Sequence, residues 1–96
     1  GFLVEREGQV VGMVGLVVIV HPVLNIKIGS EVVLWVEPEA RASDASRLLF
    51  RAAEEWARVQ GAEKMQFACY RDPRVERLYG RLGYAPHEQI FEKDLL

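Results

Sequence analysis

This sequence predicts an α/β (α+β) fold: a mixed, mostly antiparallel sheet with a central parallel βαβ pair and two helices packed on it. Three observations carry that expectation. Phe2–Val20 reads as two apolar segments joined by a tight turn, which makes an antiparallel hairpin. Glu31–Tyr70 reads as strand, amphipathic helix, strand, with lengths that allow one right-handed parallel crossover. Asp72-Pro73 then opens a short helix, followed by an alternating segment. The predicted order is β-β-β-α-β-α-β, in one domain over residues 1–96.

Each element has a local cause. Phe2–Arg6 alternates around valine and leucine, and Glu7-Gly8-Gln9 supplies the turn. Val10–Val20 is β-branched and apolar on both faces, as a central strand should be, and Gly12 and Gly15 inside it mark a bulge or a close backbone approach. His21-Pro22 breaks the strand. Val23–Ile28 reads either as a loop with apolar anchors or as the start of the next strand, and Glu31–Val36 as the strand itself, ended by Pro38. Residues 44–60 carry a helical stripe of Leu48, Leu49, Ala52, Ala53, Trp56, Ala57 and Gln60, with Ser43 or Asp44 as N-cap and Gly61 at C′. Lys64–Tyr70 is the parallel partner strand, with Met65, Phe67 and Cys69 on one face. Pro73–Leu82 turns Val75, Leu78, Tyr79 and Leu82 inward, and Gly83 stops it. Gln89–Leu95 alternates as a last strand.

Composition narrows the function. A net charge of −2 gives no electrostatic basis for binding nucleic acid or an anionic membrane. The apolar run Val10–Val20 is about half the length of a membrane-spanning helix and lacks the flanks of a signal peptide, so a cytoplasmic protein is the expectation. A single cysteine, Cys69, excludes an internal disulfide; lying in an apolar run, it reads as a buried, inert thiol. His21 and His87 have no ligand spacing around them, and no metal site is expected. The chain opens at Gly1 already strand-like, which reads as a trimmed or truncated start.

The strand Glu31–Val36 feeds the helix through Arg41–Ser46. Such a junction aims unpaired N–H groups and a partial positive charge at one point and makes an anion site. Two further stretches set it in context. LWVEPEAR runs into RLLFRAAEEWARVQGAEKM, and DPRVERLYGRLGY follows. The first is similar to the strand, R-x-x-G-x-G/A loop and Leu/Ala-rich helix of the GNAT superfamily of N-acetyltransferases. The second resembles that family's N-x-x-A-x-x-L-Y-x-x-x-G-F. The closing HEQIFEKDLL and the hairpin EGQVVGMVGL fit as well, so the resemblance covers nearly the whole chain.

The resemblance implies transfer of an acetyl group from acetyl-CoA to a primary amine, by direct attack in a ternary complex. The acceptor would be a small molecule or a protein. The pyrophosphate of acetyl-CoA would meet Arg41, Ala42, Ser43, Asp44, Ala45 and Ser46. Leu34, Trp35 and Val36 would align the pantetheine through backbone groups, with Trp35 flanking the thioester or serving as a core aromatic. Tyr79, of the Leu78-Tyr79 pair, would give a proton to the departing thiolate. Glu31, Glu37, Tyr70 and Asp72 are the candidate bases. In the loop, Asp44 and Ser46 stand where the family carries glycine or alanine, and Ala42 replaces a further glycine. A carboxylate at Asp44 either caps the helix and repels a diphosphate or points outward and leaves the N–H groups accessible. The alternative reading is therefore a non-catalytic GNAT-fold interaction module without cofactor binding. The family's first strand and first two helices have no counterpart here, and an uncovered edge at Phe2–Arg6 favours a homodimer.

Overall fold

The computed structural model describes residues 1–40, 44–69 and 72–96. Four strands make one sheet in the order β1-β2-β3-β4: β1 (Phe2–Arg6), β2 (Gln9–Val20), β3 (Lys27–Val36) and β4 (Lys64–Gln66). Helix α1 (Ala45–Val59) connects β3 to β4, and α2 (Pro73–Arg81) follows β4. The pairs β1–β2 and β2–β3 are antiparallel, and β3–β4 is parallel. The predicted fold class is therefore observed, with β1 as an edge strand.

The last predicted element does not form. Gln89–Leu95 has no strand pairing, and Ile90, Phe91 and Leu95 are exposed. Alternation alone makes no strand; the backbone needs a neighbour to pair with. Two boundaries also move. The ambiguous Val23–Ile28 divides into a turn and the start of β3 at Lys27, while β4 ends at Gln66 rather than Tyr70.

Two irregularities steer β3. Val33 pairs with Gly15 and Glu31 with Leu16, so Val32 is an extra, unpaired residue. A one-residue bulge reverses which side chains face each side of the sheet. Above it Leu34 and Val36 face α1; below it Glu31 and Gly29 do. Without it Glu31 would lie on the opposite face, with Val33 and Trp35. At Gly29 the sheet and α1 approach closely: a Cβ there would meet Ala57 Cβ at 2.9 Å and Met65 Sδ at 2.8 Å. The thioether can move, but the alanine sits on a helix and cannot. Gly29→Ala should therefore cost about 1–3 kcal/mol, seen as a lower midpoint in urea with unchanged slope.

The core lies between this face and α1. Val14, Val36, Ala45 and Leu49 form its centre, with Phe2, Val4, Leu16, Leu34 and Phe67 packed around it. The buried stripe of α1 is Ala45, Ser46, Leu49, Phe50, Ala53 and Ala57. It is rotated from the predicted one: Phe50 joins it, Leu48 and Gln60 are exposed, and Trp56 is only half-buried. Phe50 is drawn in by three rings, Phe67, Tyr79 and Tyr84, at centroid distances of 4.4, 5.6 and 5.9 Å.

Both helices stop as predicted. Gly61 has φ 85° at C′; its N–H donates to Arg58 O, and that of Ala62 to Ala57 O, which satisfies the last carbonyls of α1. Gly83 and Tyr84 repeat the arrangement for α2, donating to Gly80 O and Tyr79 O.

Candidate active site

The site begins where the parallel ladder ends. β3 and β4 pair over only three positions, Ile28 with Lys64, Gly29 with Met65 and Ser30 with Gln66. Beyond Ser30 and Gln66 the two backbones no longer pair, and the Glu31 side chain bridges to Ala68 instead. Val36, Ala45 and Leu49 pack together, so the first turn of α1 stands at the far end of β3.

Tyr79 reaches this region from α2. Its hydroxyl donates to Ala68 O at 3.1 Å, and its ring packs on Phe50 and Phe67. Burial, then the neighbouring Cys69 and Glu31, push its phenol up to about 12. The proton therefore stays on the oxygen at neutral pH. Opposite, Glu31 Oε1 accepts the Ala68 N–H at 3.1 Å. The Ala68 peptide is thus held on both sides. Neighbouring Tyr84 donates to Glu54 Oε2 at 2.6 Å; burial and that carboxylate raise its phenol strongly.

Asp44 occupies the N-cap position of α1 but makes no side-chain capping bond, and it is exposed. Its carboxylate therefore does not take up the N–H groups of the first turn. Asp72 behaves differently: its Oδ1 accepts the Arg74 N–H at 2.9 Å, which lowers its carboxyl and commits it to capping α2.

The predicted residues divide by location. Arg41, Ala42, Ser43 and Tyr70 lie outside the described residues. Ala45 and Ser46 turn their side chains into the core, so any part they play at an anion falls to the backbone. Leu34 is half-buried and Val36 buried on the α1 face, whereas Trp35 is 39% exposed on the opposite face. Tyr79 and Glu31 meet at Ala68. Glu37 stands past the end of β3, its N–H donating to Val11 O at 2.8 Å, and lines a concavity of about 750 Å³ with Arg6, Glu7 and Glu39. Cys69 is exposed rather than buried, since β4 ends before it. Its thiol is nonetheless pushed up, first by partial desolvation, then by Glu76 and Asp72, which disfavours the nucleophilic thiolate. The Ala68 link is what sequence reasoning missed. Its signal was the pair of valines after Glu31, where an extra residue can bulge.

Among the described residues no group of three His, Cys, Asp or Glu side chains is placed to hold a metal ion, and no helix is long and apolar enough to cross a membrane.

The sequence profile of the Acetyltransferase (GNAT) family matches residues 1–84. No curated protein sequence matches the chain. Among solved structures, an acetyl transferase assigned in Pyrococcus furiosus is 28% identical, with a TM-score of 0.80 over 95% of this chain and 61% of its own. Glucosamine-6-phosphate N-acetyltransferase from Arabidopsis thaliana is 14% identical, with a TM-score of 0.82 over 97% and 64%. The aminoglycoside N-acetyltransferase AAC(6')-Iy in complex with CoA is 14% identical, with a TM-score of 0.83 over 96% and 72%. The chain thus spans less than two thirds of the length of the first two. With the profile matched over most of its length and the fold shared with these structures, the chain belongs to the GNAT acetyltransferase family.

Proposed function

We propose that the protein transfers an acetyl group from acetyl-CoA to a primary amine by direct attack. The observation that carries this reading is the end of the β3–β4 ladder at Ser30 and Gln66, with a protonated phenol bonded just beyond it and the first turn of α1 packed on Val36. Acetyl-CoA supplies the acyl group in activated form, as a thioester. The chain supplies orientation. Backbone groups of Leu34–Val36 would align the pantetheine arm, and residues Arg41–Ser46 would take the pyrophosphate. Tyr79 would turn its hydroxyl proton from Ala68 O toward the departing sulfur while the amine nitrogen bonds to the carbonyl carbon, the carbon–sulfur bond breaks and the amine's surplus proton passes to solvent. A small-molecule amine, as in the aminoglycoside and glucosamine-phosphate enzymes, or a protein amine fits this chemistry.

Two features fit the cofactor and one opposes it. The Asp44 side chain makes no capping bond to the first turn of α1, and exposed Arg47 adds positive charge there. The Asp44 carboxylate remains at the same helix end, and it is what favours the second reading, a GNAT-fold module without cofactor binding. Thermal melting with acetyl-CoA separates the two. A ligand at 100 times its Kd stabilises the fold by about 2.7 kcal/mol; no shift at millimolar acetyl-CoA would leave the module. Asp44→Gly should tighten acetyl-CoA by about 3- to 10-fold, since like charges a few ångströms apart in solvent repel by about 1 kcal/mol per pair. Calorimetric titration reads this directly, and unchanged affinity would mean that Asp44 does not face the phosphates.

A further inference from the structure

The Ala68 peptide is held from both sides. Its N–H donates to Glu31 Oε1 and its carbonyl accepts from the Tyr79 hydroxyl, each at 3.1 Å. These bonds lie just beyond the last paired positions, Ser30 and Gln66, where the Ala68 N–H finds a side chain on β3 rather than a strand carbonyl. The Val32 bulge places Glu31 on this face, paired with Leu16. Glu31 is half-buried, and its Oε1 is engaged by an N–H donor.

We infer that Glu31 is a positioning residue: it latches Ala68 beyond the end of the β3–β4 ladder, and the Ala68 carbonyl in turn sets where the Tyr79 hydroxyl rests. Its consequence for turnover rests on the acetyl-transfer reading; the latch itself does not. What the latch requires of residue 31 is an oxygen acceptor of the right reach. A general base would require a titrating charge instead. Glutamine keeps the first and lacks the second, so Glu31→Gln and Glu31→Ala separate the two roles.

The test uses the full chain labelled with 15N and with 13C at the tyrosine Cζ carbons. In Glu31→Ala the Ala68 amide proton moves upfield and the Tyr79 Cζ signal shifts; in Glu31→Gln both stay near their wild-type positions. In turnover, Glu31→Ala lowers kcat by about 10-fold with KM for acetyl-CoA nearly unchanged, and Glu31→Gln recovers to within about twofold. A Tyr79 signal indifferent to Glu31→Ala would overturn the inference. So would a Glu31→Gln variant as slow as Glu31→Ala, which would make Glu31 the base. If Glu31→Ala fails to fold, the glutamine variant alone decides: wild-type signals and turnover support the latch, and lost turnover rejects it. If the wild-type chain transfers no acetyl group, the acetyl-transfer reading falls, while the two resonances still decide the latch.

Discussion

Phe50→Ala should lower the stability of the domain by about 3–5 kcal/mol, the usual cost of deleting a buried phenyl ring. Phe50 is 3% exposed and touches the rings of Phe67, Tyr79 and Tyr84, which also touch one another. Each edge or tilted pair adds to plain burial, so the upper end of the range is expected. A domain of this length has only about 5–14 kcal/mol in total, so the variant would lose a large share. The fall in Tm should exceed about 12 °C. The ring also joins three elements. Through it α1 meets the segment after β4 at Phe67, α2 at Tyr79 and the turn after α2 at Tyr84. Phe50→Leu, which keeps most of the volume, should lose much less. A Phe50→Ala melt within a few degrees of wild type would mean that the four rings do not form one core.

That cluster also marks the limit of what the sequence makes legible. The hairpin, the crossover and both helix stops follow from alternation, length and capping residues, which are local. The arc of α1 that is buried is not local. Counted from Leu48, the stripe passes Trp56 and misses Phe50; counted from Ser46, the steps to Phe50, Ala53 and Ala57 make one face. A polar residue at the start of that face hides it, and the aromatic side chains that draw Phe50 inward come from beyond residue 66. Glu31 was legible as a carboxylate on the strand and a candidate base but not as a partner of Ala68, because its orientation depends on the Val32 bulge. Cys69 was misplaced because β4 loses its neighbour after Gln66. The end of the ladder that exposes the thiol also leaves the Ala68 peptide to Glu31 and Tyr79.

Tyr79→Phe should lower kcat by about 10- to 100-fold with little change in KM for acetyl-CoA. The size follows from what a phenol held at about 12 can do. An ordinary thiol titrates near 8.5, about 3.5 units lower. Full proton transfer from this phenol to a free thiolate is therefore uphill by nearly 5 kcal/mol at 1.36 kcal/mol per unit. Donation without transfer costs nothing of the kind, and a hydrogen bond to a charged group is worth about 1.5–3 kcal/mol. In the proposed transfer Tyr79 would act by stabilising the developing negative sulfur, and each 1.36 kcal/mol lost is tenfold in rate. To do so its hydroxyl must turn away from Ala68 O, where it rests in the free protein. The pH profile tests the same point. Because the phenol of the free protein is pushed up to about 12, Tyr79 should impose no basic limb on kcat/KM below about pH 11. Stability should behave accordingly: an unfolded tyrosine ionises near 10, so the contribution of the folded phenol is complete below that pH and is lost between about 10 and 12. The phenylalanine variant should show a shallower alkaline loss, with only about 1 kcal/mol removed at neutral pH for the missing bond to Ala68. Its ring keeps the contacts with Phe50 and Phe67, so a slow but well-folded variant is the expected result. Wild-type turnover in Tyr79→Phe would remove this residue from the chemistry and leave transfer to backbone alignment alone.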